Sequence, residues 1–231
     1  MDTFKKPNTL YSSFMFLKLD PAFRRLEANE KMAAKQEFEN VIAHSQEKLF
    51  LRTYQINGLR CDCDLLIWRI SNDLEHLQNL CAKTFLDGIG KYLNPIHSFI
   101  GLYNLNDNDL KKELDFEFIP KDIFGKFKFM LVHPVVKSQL WYELSDEERE
   151  NLIKERRKVV ANHNDVLEHF FISYGLDDHE LIVTREGKNL EYLLKATKEL
   201  KTQKIKNFTL RDRPILMCIG KDLSIILDTI S

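Results

Sequence analysis

The strands and helices that the sequence predicts follow one order, β-α-β-β-α-β, and the chain runs through that order twice. The first pass begins with the apolar run YSSFMFLKL, and the second begins with KFKFMLVHPVV after the polar connector NLNDNDLKKELD. Each pass has the element order of a ferredoxin-like unit. The sequence therefore predicts an α+β chain with a first half, 1–104, and a second half, 105–231. The two sheets either pack together or join into one barrel with helices outside.

Local signals place the individual elements within each half. Asp20-Pro21 has the form of an N-cap followed by proline at the first helical position. Asn57-Gly58 between two β-rich runs indicates a hairpin. Ser145 with Glu148 three residues later is typical of a capping box. The predicted strands are 11–19, 47–56, 63–71, 96–104, 126–136, 167–175, 180–186 and 209–220, and the predicted helices are 22–45, 73–88, 145–163 and 188–201.

Composition and charge exclude several classes of protein. A hydrophobic content of 44% is ordinary for a globular chain with a substantial core. The net charge of −1 gives no overall field that attracts nucleic acid or an anionic membrane. No apolar run approaches the ~20 residues of a membrane span, and the start MDTFKKPNTLYSSF lacks the apolar core of a signal peptide. The sequence therefore predicts neither a nucleic-acid nor a membrane partner.

The cysteines indicate a reducing compartment. Cys61 and Cys63 form a C-x-C pair, which supplies too few ligands for zinc and has the wrong spacing for a C-x-x-C redox pair. On a strand, residues two apart face the same side. We therefore expect buried, reduced thiols and a cytoplasmic protein.

The stretch HPVVKSQLWY, residues 133–142, places chemically active side chains at the end of an apolar strand. His133 ends the run KFKFMLVH, Lys137 follows four residues later, and Trp141 begins a Trp-Tyr pair. These side chains either line a pocket or are structural, with the lysine in solvent and the tryptophan in the core. A second polar run, GLDDHE at 175–180, is typical of a turn between strands rather than of a metal site.

Five stretches carry a resemblance when they are taken together. They are YSSFMFLKLDPAFRRL, NGLRCDCDLLIWRIS, VHPVVKSQLWYELSDEER, YGLDDHELIV and NFTLRDRPILMCIG. In this order and at this spacing they resemble the chlorite dismutase-like family, which includes the coproheme decarboxylases of haem biosynthesis. The resemblance covers nearly the whole chain. It implies two ferredoxin-like repeats in a dimeric α+β barrel, a homopentamer, and a pocket for haem b or iron coproporphyrin in the second half.

The resemblance also implies roles for single residues. His133 lies where coproheme decarboxylases commonly carry a tyrosine, and it is the predicted distal acid/base. Lys137 is the predicted contact of a porphyrin propionate, since its ammonium is a point charge on a flexible stem. Trp141 is the predicted wall of the pocket.

The iron ligand is the point at which this sequence departs from the family. The family places a histidine on the following helix, fifteen residues beyond the tryptophan, and Arg156 stands there. A guanidinium has no lone pair to offer iron. His163 lies two helical turns further on and is the predicted alternative ligand, although its N-H-N-D context also indicates a helix end. In place of the distal arginine of chlorite-degrading members, the candidates are His169 and Glu168.

Two functional hypotheses follow from this comparison. The first is a haem- or porphyrin-dependent oxidoreductase with peroxidase-type or coproheme-modifying chemistry, acting on a small-molecule oxidant, in which Arg156 and His169 also contact the cofactor. The second is a binding or carrier protein that kept the fold and lost iron ligation.

Overall fold

The computed structural model describes residues 9–104 and 123–231. The chain divides into two compact units, the first Met1–Phe124 with Gly220–Ser231, and the second Gly125–Ile219. The predicted halves are 1–104 and 105–231, whereas the first unit extends to Phe124 and also includes Gly220–Ser231. The predicted polar connector lies outside the described residues from position 105 onward.

The strands and helices alternate along the chain as follows. The strands are β1 (Thr9–Leu19), β2 (Phe50–Gln55), β3 (Leu65–Ser71), β4 (Leu93–Asn104), β5 (Phe129–Lys137), β6 (Val166–Ile172), β7 (Leu181–Gly187), β8 (Thr209–Arg211) and β9 (Leu216–Gly220). The α-helices are α1 (Ala28–Gln46), α2 (Leu74–Lys83), α3 (Gln139–Glu143), α4 (Asp146–Ala161), α5 (Leu190–Lys201) and α6 (Leu223–Ile230). Short 3-10 helices occupy Pro21–Arg25, Gly88–Tyr92 and Lys204–Phe208.

The first unit is an antiparallel sheet in the order β4-β1-β3-β2, covered by α1, α2 and α6. This strand order and the element order β1-α1-β2-β3-α2-β4 are those of the predicted ferredoxin-like unit. Apolar side chains of β1 and β3 alternate toward the helices and form one core with them, for example Leu17, Ile67 and Leu77. Helix α6 joins this core through Ile226 and Leu227.

Gly90 lies at a close approach between two backbone segments of the first unit. A Cβ atom added there would lie 2.0 Å from the carbonyl oxygen of Thr84. We expect Gly90→Ala to lower the free energy of unfolding by about 3 kcal/mol, because a backbone atom rather than a side chain has to move. Gly58→Ala is the matched control: its φ is +81° but nothing lies within 4 Å, so about 1 kcal/mol is expected. Urea unfolding of both variants measures the difference, and equal effects would contradict the predicted clash.

The second unit repeats the architecture in the order β6-β7-β5-β9, again antiparallel. Strand β8 pairs with the far end of β5, at Val136 and Lys137. Helices α4 and α5 contact each other and β6, and α5 also contacts β7. Helix α4 begins at the predicted capping box, in which Ser145 Oγ accepts from the Glu148 amide at 3.3 Å and Glu148 Oε2 accepts from the Ser145 amide at 2.8 Å.

Four elements differ from the sequence predictions. The predicted strand 209–220 is two strands, β8 and β9, separated by a segment that contains Pro214, which has no amide hydrogen to donate to a ladder. Helix α3 holds the Trp-Tyr pair, and α6 follows the last strand; neither was predicted. The predicted helix 22–45 is a 3-10 turn followed by α1.

The cysteines are all unpaired, as predicted, but they are not all buried. Cys63 and Cys218 are buried, Cys81 is partly buried and Cys61 is exposed. Cys61 and Cys63 precede β3 rather than lying within it, so the strand alternation that predicted a common buried side does not apply. Within the described parts of the chain, no helix is both long enough and apolar enough to cross a membrane.

Candidate functional site

One face of the second unit's sheet brings the polar residues of several elements together. Leu131 of β5 packs with Leu193 and Ala196 of α5, which marks this as the helix-covered face. Side chains alternate along a strand, so His133 and Lys137 lie on the same face as Leu131. Both residues are buried, since only 4% of the surface of His133 and 7% of that of Lys137 are exposed.

Two neighbouring strands add one arginine and one glutamate to this face. Arg185 of β7 is the register partner of Leu131, and Glu168 of β6 is the register partner of Arg185. Their side chains therefore share the helix-covered face, where the Arg185 Nε donates to Glu168 Oε1. The Arg185 Nη1 donates to Thr197 Oγ1 of α5 at 3.4 Å.

Arg156 reaches the same carboxylate from α4. Its Nε donates to Glu168 Oε2 at 3.0 Å and its Nη2 donates to Glu168 Oε1 at 2.7 Å, which is a bidentate pair. The side chain of Glu168 is 2% exposed and that of Arg156 is 12% exposed. Burial raises the pKa of the Glu168 carboxyl, but the charges of Arg156 and Arg185 together outweigh it, so the net pKa lies below its usual range. Glu168 is therefore an ionised carboxylate shared by two guanidinium groups.

The hydrogen bonds of His133 fix its tautomer. Its Nε2 lies 3.1 Å from the Arg185 Nη2. A guanidinium only donates, so Nε2 accepts and the neutral ring carries its hydrogen on Nδ1. Burial, followed by the charges of Arg185 and Arg156, holds the pKa of His133 well below its ordinary value, so the ring is neutral. Its Nδ1 is a buried donor that has no partner among the residues that the structure describes.

Lys137 and Trp141 lie next to each other at the end of β5. The Lys137 Nζ is 4.0 Å from the centroid of the Trp141 ring, a cation–π contact. Trp141 is 6% exposed, and its ring contacts Phe208 at a centroid distance of 6.1 Å. Burial, with the charges of Arg156 and Lys206, lowers the pKa of Lys137 to about 8. Of the two interpretations of HPVVKSQLWY, burial excludes the solvent-exposed lysine.

Cations outnumber carboxylates around His133 and Lys137. The cations are Lys137, Arg156, Arg185, Lys201 and Lys206, and the carboxylates are Glu168, Glu180 and Asp212. Glu180 is engaged with the Lys137 amide and the Tyr142 hydroxyl, at 2.8 Å and 2.9 Å. Asp212 accepts from Lys206, not from the neighbouring arginine at 211. Among the described residues named here, five cations therefore stand against three carboxylates, which leaves a net positive charge.

The other two predicted histidines do not join this cluster. His169 is the register partner of Thr184, so it lies on the opposite face from Glu168, with its Nε2 3.7 Å from Glu186 Oε1. Of the two candidates for the distal position, the strand alternation brings Glu168 and not His169 to the site. His163 lies beyond the end of α4, and its Nε2 is 2.8 Å from Glu199 Oε2. The helix does not continue, so His163 does not share the face of Arg156.

The residues on this face do not fit an iron porphyrin held by a protein histidine. Arg156 is bound to Glu168 and has no lone pair, and the Nε2 lone pair of His133 accepts from Arg185. Within 9–104 and 123–231, no group of three or more metal-binding side chains is present. The same face does fit anionic groups, because the His133 Nδ1–H has no acceptor among the described residues and Lys137 contributes a nearby cation.

Arg185 was missed in the sequence although a signal for it exists. In the strand LIVTREG, alternation from Leu181 and Val183 places an arginine on the buried face. The same position of LLIWRIS in the first unit is Arg69. A charged residue at an inward position of a strand is unusual, and it occurs here in both repeats.

Comparison with known proteins gives the family. The family model described as Chlorite dismutase matches residues 31–221. The chain belongs to the chlorite dismutase family. The coproheme decarboxylase of Mycolicibacterium smegmatis is 26% identical over 168 residues, which cover 70% of this chain and 68% of that protein.

Solved structures of this family share the fold. A mutant chlorite dismutase from Candidatus Nitrospira defluvii has a TM-score of 0.82 at 21% identity, covering 96% of this chain and 95% of that chain. The chlorite dismutase of the same organism in complex with imidazole has a TM-score of 0.81 at 20% identity, covering 96% and 94%. The predicted α+β fold of duplicated ferredoxin-like repeats is therefore confirmed.

Proposed function

We propose that this member of the chlorite dismutase family binds a porphyrin of the coproporphyrin type. The protein would hold the carboxylates of the porphyrin and would not ligate the iron of the porphyrin. The observation that carries the proposal is the Nδ1–H of His133, a buried donor that has no acceptor among the described residues and lies within the field of several cations. A buried donor without a partner is unfavourable by about 1–3 kcal/mol, so a ligand oxygen at this position stabilises the site. Lys137 supplies a charge for the same carboxylate or a neighbouring one.

The packing of α4 supports a ligand on this face. The helix has no buried residue, and its apolar side chains Leu152, Ile153, Val159 and Val160 are only partly covered. The buried Arg156–Glu168 pair links this helix to the sheet. A flat apolar ring system is a suitable partner for such side chains.

The test is a spectrophotometric titration of the protein with three ligands: metal-free coproporphyrin, its iron complex, and its tetramethyl ester. We expect the metal-free and iron forms to bind with dissociation constants within about threefold, because no protein ligand distinguishes them. The ester is expected to bind at least tenfold more weakly, since it lacks the carboxylates. Much tighter binding of the iron form would overturn the proposal in favour of iron ligation, and a flat titration with all three would overturn it altogether.

The affinity for the anionic porphyrin is expected to fall as the pH rises through about 8. Lys137 has its pKa lowered to about 8, so its ammonium is present below that value and lost above it. Between pH 7 and pH 9.5 we expect about a tenfold loss of affinity, measured by repeating the titration at each pH. Lys137→Met is expected to bind weakly at both values and to show little pH dependence. Lys154→Met, which removes an exposed lysine of α4, is the control and is expected to behave as the wild type.

A haem-dependent oxidoreductase is the second candidate function. It is favoured by the similarity to a coproheme decarboxylase and by the neutral His133, whose side chain is placed to hold a proton at Nδ1. Turnover of iron coproporphyrin or of a reducing dye with peroxide, lost in His133→Phe, would favour this candidate. The homopentamer and the cytoplasmic location stay predictions, and light scattering of the purified protein checks the first.

A further inference from the structure

A second buried guanidinium lies in the first unit, whereas the site described above lies in the second. Arg69 of β3 is fully buried, at 0% exposure. It holds the same strand position in LLIWRIS that Arg185 holds in LIVTREG. The register partner of Arg185 on the neighbouring strand is Glu168, whereas the register partner of Arg69 on β2 is Leu51. The first unit therefore keeps the arginine without the carboxylate.

The contacts of Arg69 leave its charge unmatched. Its Nη2 donates to Thr84 Oγ1 at 2.7 Å, and its Nη1 donates to Cys81 Sγ at 3.8 Å. Its Nε has no partner among the described residues, and no carboxylate of that part of the chain pairs with it. A guanidinium does not lose its proton in proteins, and a buried charge without a counter-charge is strongly unfavourable.

The sulfur of Cys81 is the contacting atom that can carry a negative charge. Ser13 Oγ lies 3.5 Å from the same sulfur, and its rotating hydroxyl can accept from a thiol or donate to a thiolate. Cys81 lies in the last turn of α2, whose partial negative charge opposes a thiolate. The guanidinium is a full charge in direct contact and is shielded from water, so it outweighs that partial charge.

We propose that Cys81 is a thiolate site that reacts with peroxides and whose negative charge is held by the buried guanidinium of Arg69. Cys81 is partly buried, whereas Cys63 and Cys218 are buried. A sulfur of a partly buried residue beside a cation has the environment of reactive cysteines. The proposal is independent of porphyrin binding, since none of its residues lies in the second unit.

The reaction is a two-electron oxidation of sulfur. The thiolate attacks one oxygen of hydrogen peroxide, a sulfur–oxygen bond forms, and the oxygen–oxygen bond breaks. Hydroxide leaves and becomes water when it takes up a proton from solvent. The sulfur is oxidised to a sulfenic acid while the peroxide is reduced. Arg69 then faces the new oxygen in place of the thiolate.

The test uses the full-length reduced protein and compares cysteines within one molecule. After iodoacetamide treatment at pH 7, peptide mass spectrometry measures the alkylation rate of each cysteine. We expect Cys81 to react at least ten times faster than Cys61, although Cys61 is the exposed one. Arg69→Met keeps the volume and removes the charge, and it is expected to bring the Cys81 rate below that of Cys61. Arg69→Lys is expected to restore part of the difference.

The outcomes separate the parts of the proposal. Dimedone labelling after peroxide is expected at Cys81 in the wild type and at least tenfold less in Arg69→Met. If Cys81 is alkylated fast but gives no dimedone adduct, the proposed reaction with peroxide is wrong. If Cys81 is alkylated no faster than Cys61, the assignment of Cys81 as a thiolate is wrong. If Arg69→Met does not fold, the thiolate absorbance at 240 nm of the wild type minus that of Cys81→Ser decides the point: a difference supports the proposal, and none overturns it.

Discussion

Replacing Glu168 by glutamine is expected to lower the free energy of unfolding by about 3–5 kcal/mol. The carboxylate is the shared partner of Arg156 and Arg185, and its side chain is 2% exposed. Glutamine keeps the shape but removes the negative charge, so two guanidinium groups stay close together with no counter-charge between them. Urea unfolding at pH 7 measures the change, as a shift of the midpoint without a change of slope.

Glu150→Gln is the matched control for this prediction. Glu150 pairs with Lys154 on the exposed side of α4, and both side chains are more than half exposed. An exposed pair of this kind contributes about 0.3–0.5 kcal/mol, so this variant should unfold close to the wild type. If Glu168→Gln and Glu150→Gln are equally stable, then water and not Glu168 balances the positive charges of Arg156 and Arg185.

The same carboxylate predicts how stability depends on pH. The pKa of Glu168 is lower in the folded protein than its ordinary value of 4.5. The stability that ionised Glu168 contributes is therefore fully present above about pH 4.5. It is lost as the pH falls through the lower pKa that Glu168 has in the folded protein. The wild type should lose stability on acidification more steeply than Glu168→Gln, so the two unfolding curves approach each other at low pH. Parallel curves would contradict the shared-carboxylate arrangement.

Arg156→His is expected to change which form of the porphyrin binds best. The resemblance places Arg156 where the family carries its iron ligand, and a neutral imidazole supplies the lone pair that a guanidinium lacks. We expect the variant to bind iron coproporphyrin at least tenfold more tightly than the metal-free form, with a shifted Soret band. Glu168 keeps Arg185 as a partner in this variant, so the carboxylate does not lose its last counter-charge.

Arg157→His is the control, because the next residue along a helix points about 100° away. It adds the same ring to the same exposed turn of α4 without facing the sheet. Neither the ratio of the two affinities nor the Soret band should change in this variant. If both histidine variants behave alike, Arg156 does not stand at the position of an iron ligand.

Within the site, the sequence pointed to residues of one contiguous stretch and not to most of their partners on other elements. His133, Lys137 and Trp141 come from one stretch, and the structure places all three in buried positions. His169 was a candidate beside Glu168, but neighbouring residues of a strand face opposite sides, and only the register of β6 on β7 decides which one faces the helices. A one-residue change of register would exchange them.

The sequence alone determined the repeated order of elements and, through it, the two ferredoxin-like units, because hydrophobic period and turn residues act over a few neighbouring positions. It also determined that Arg156 is unable to ligate iron, which follows from the chemistry of the side chain. The tertiary structure decided that Arg156, Glu168, Arg185 and His133 form one buried chain of contacts. These residues come from α4, β6, β7 and β5, and only the packing of those elements brings their charges within hydrogen-bonding distance.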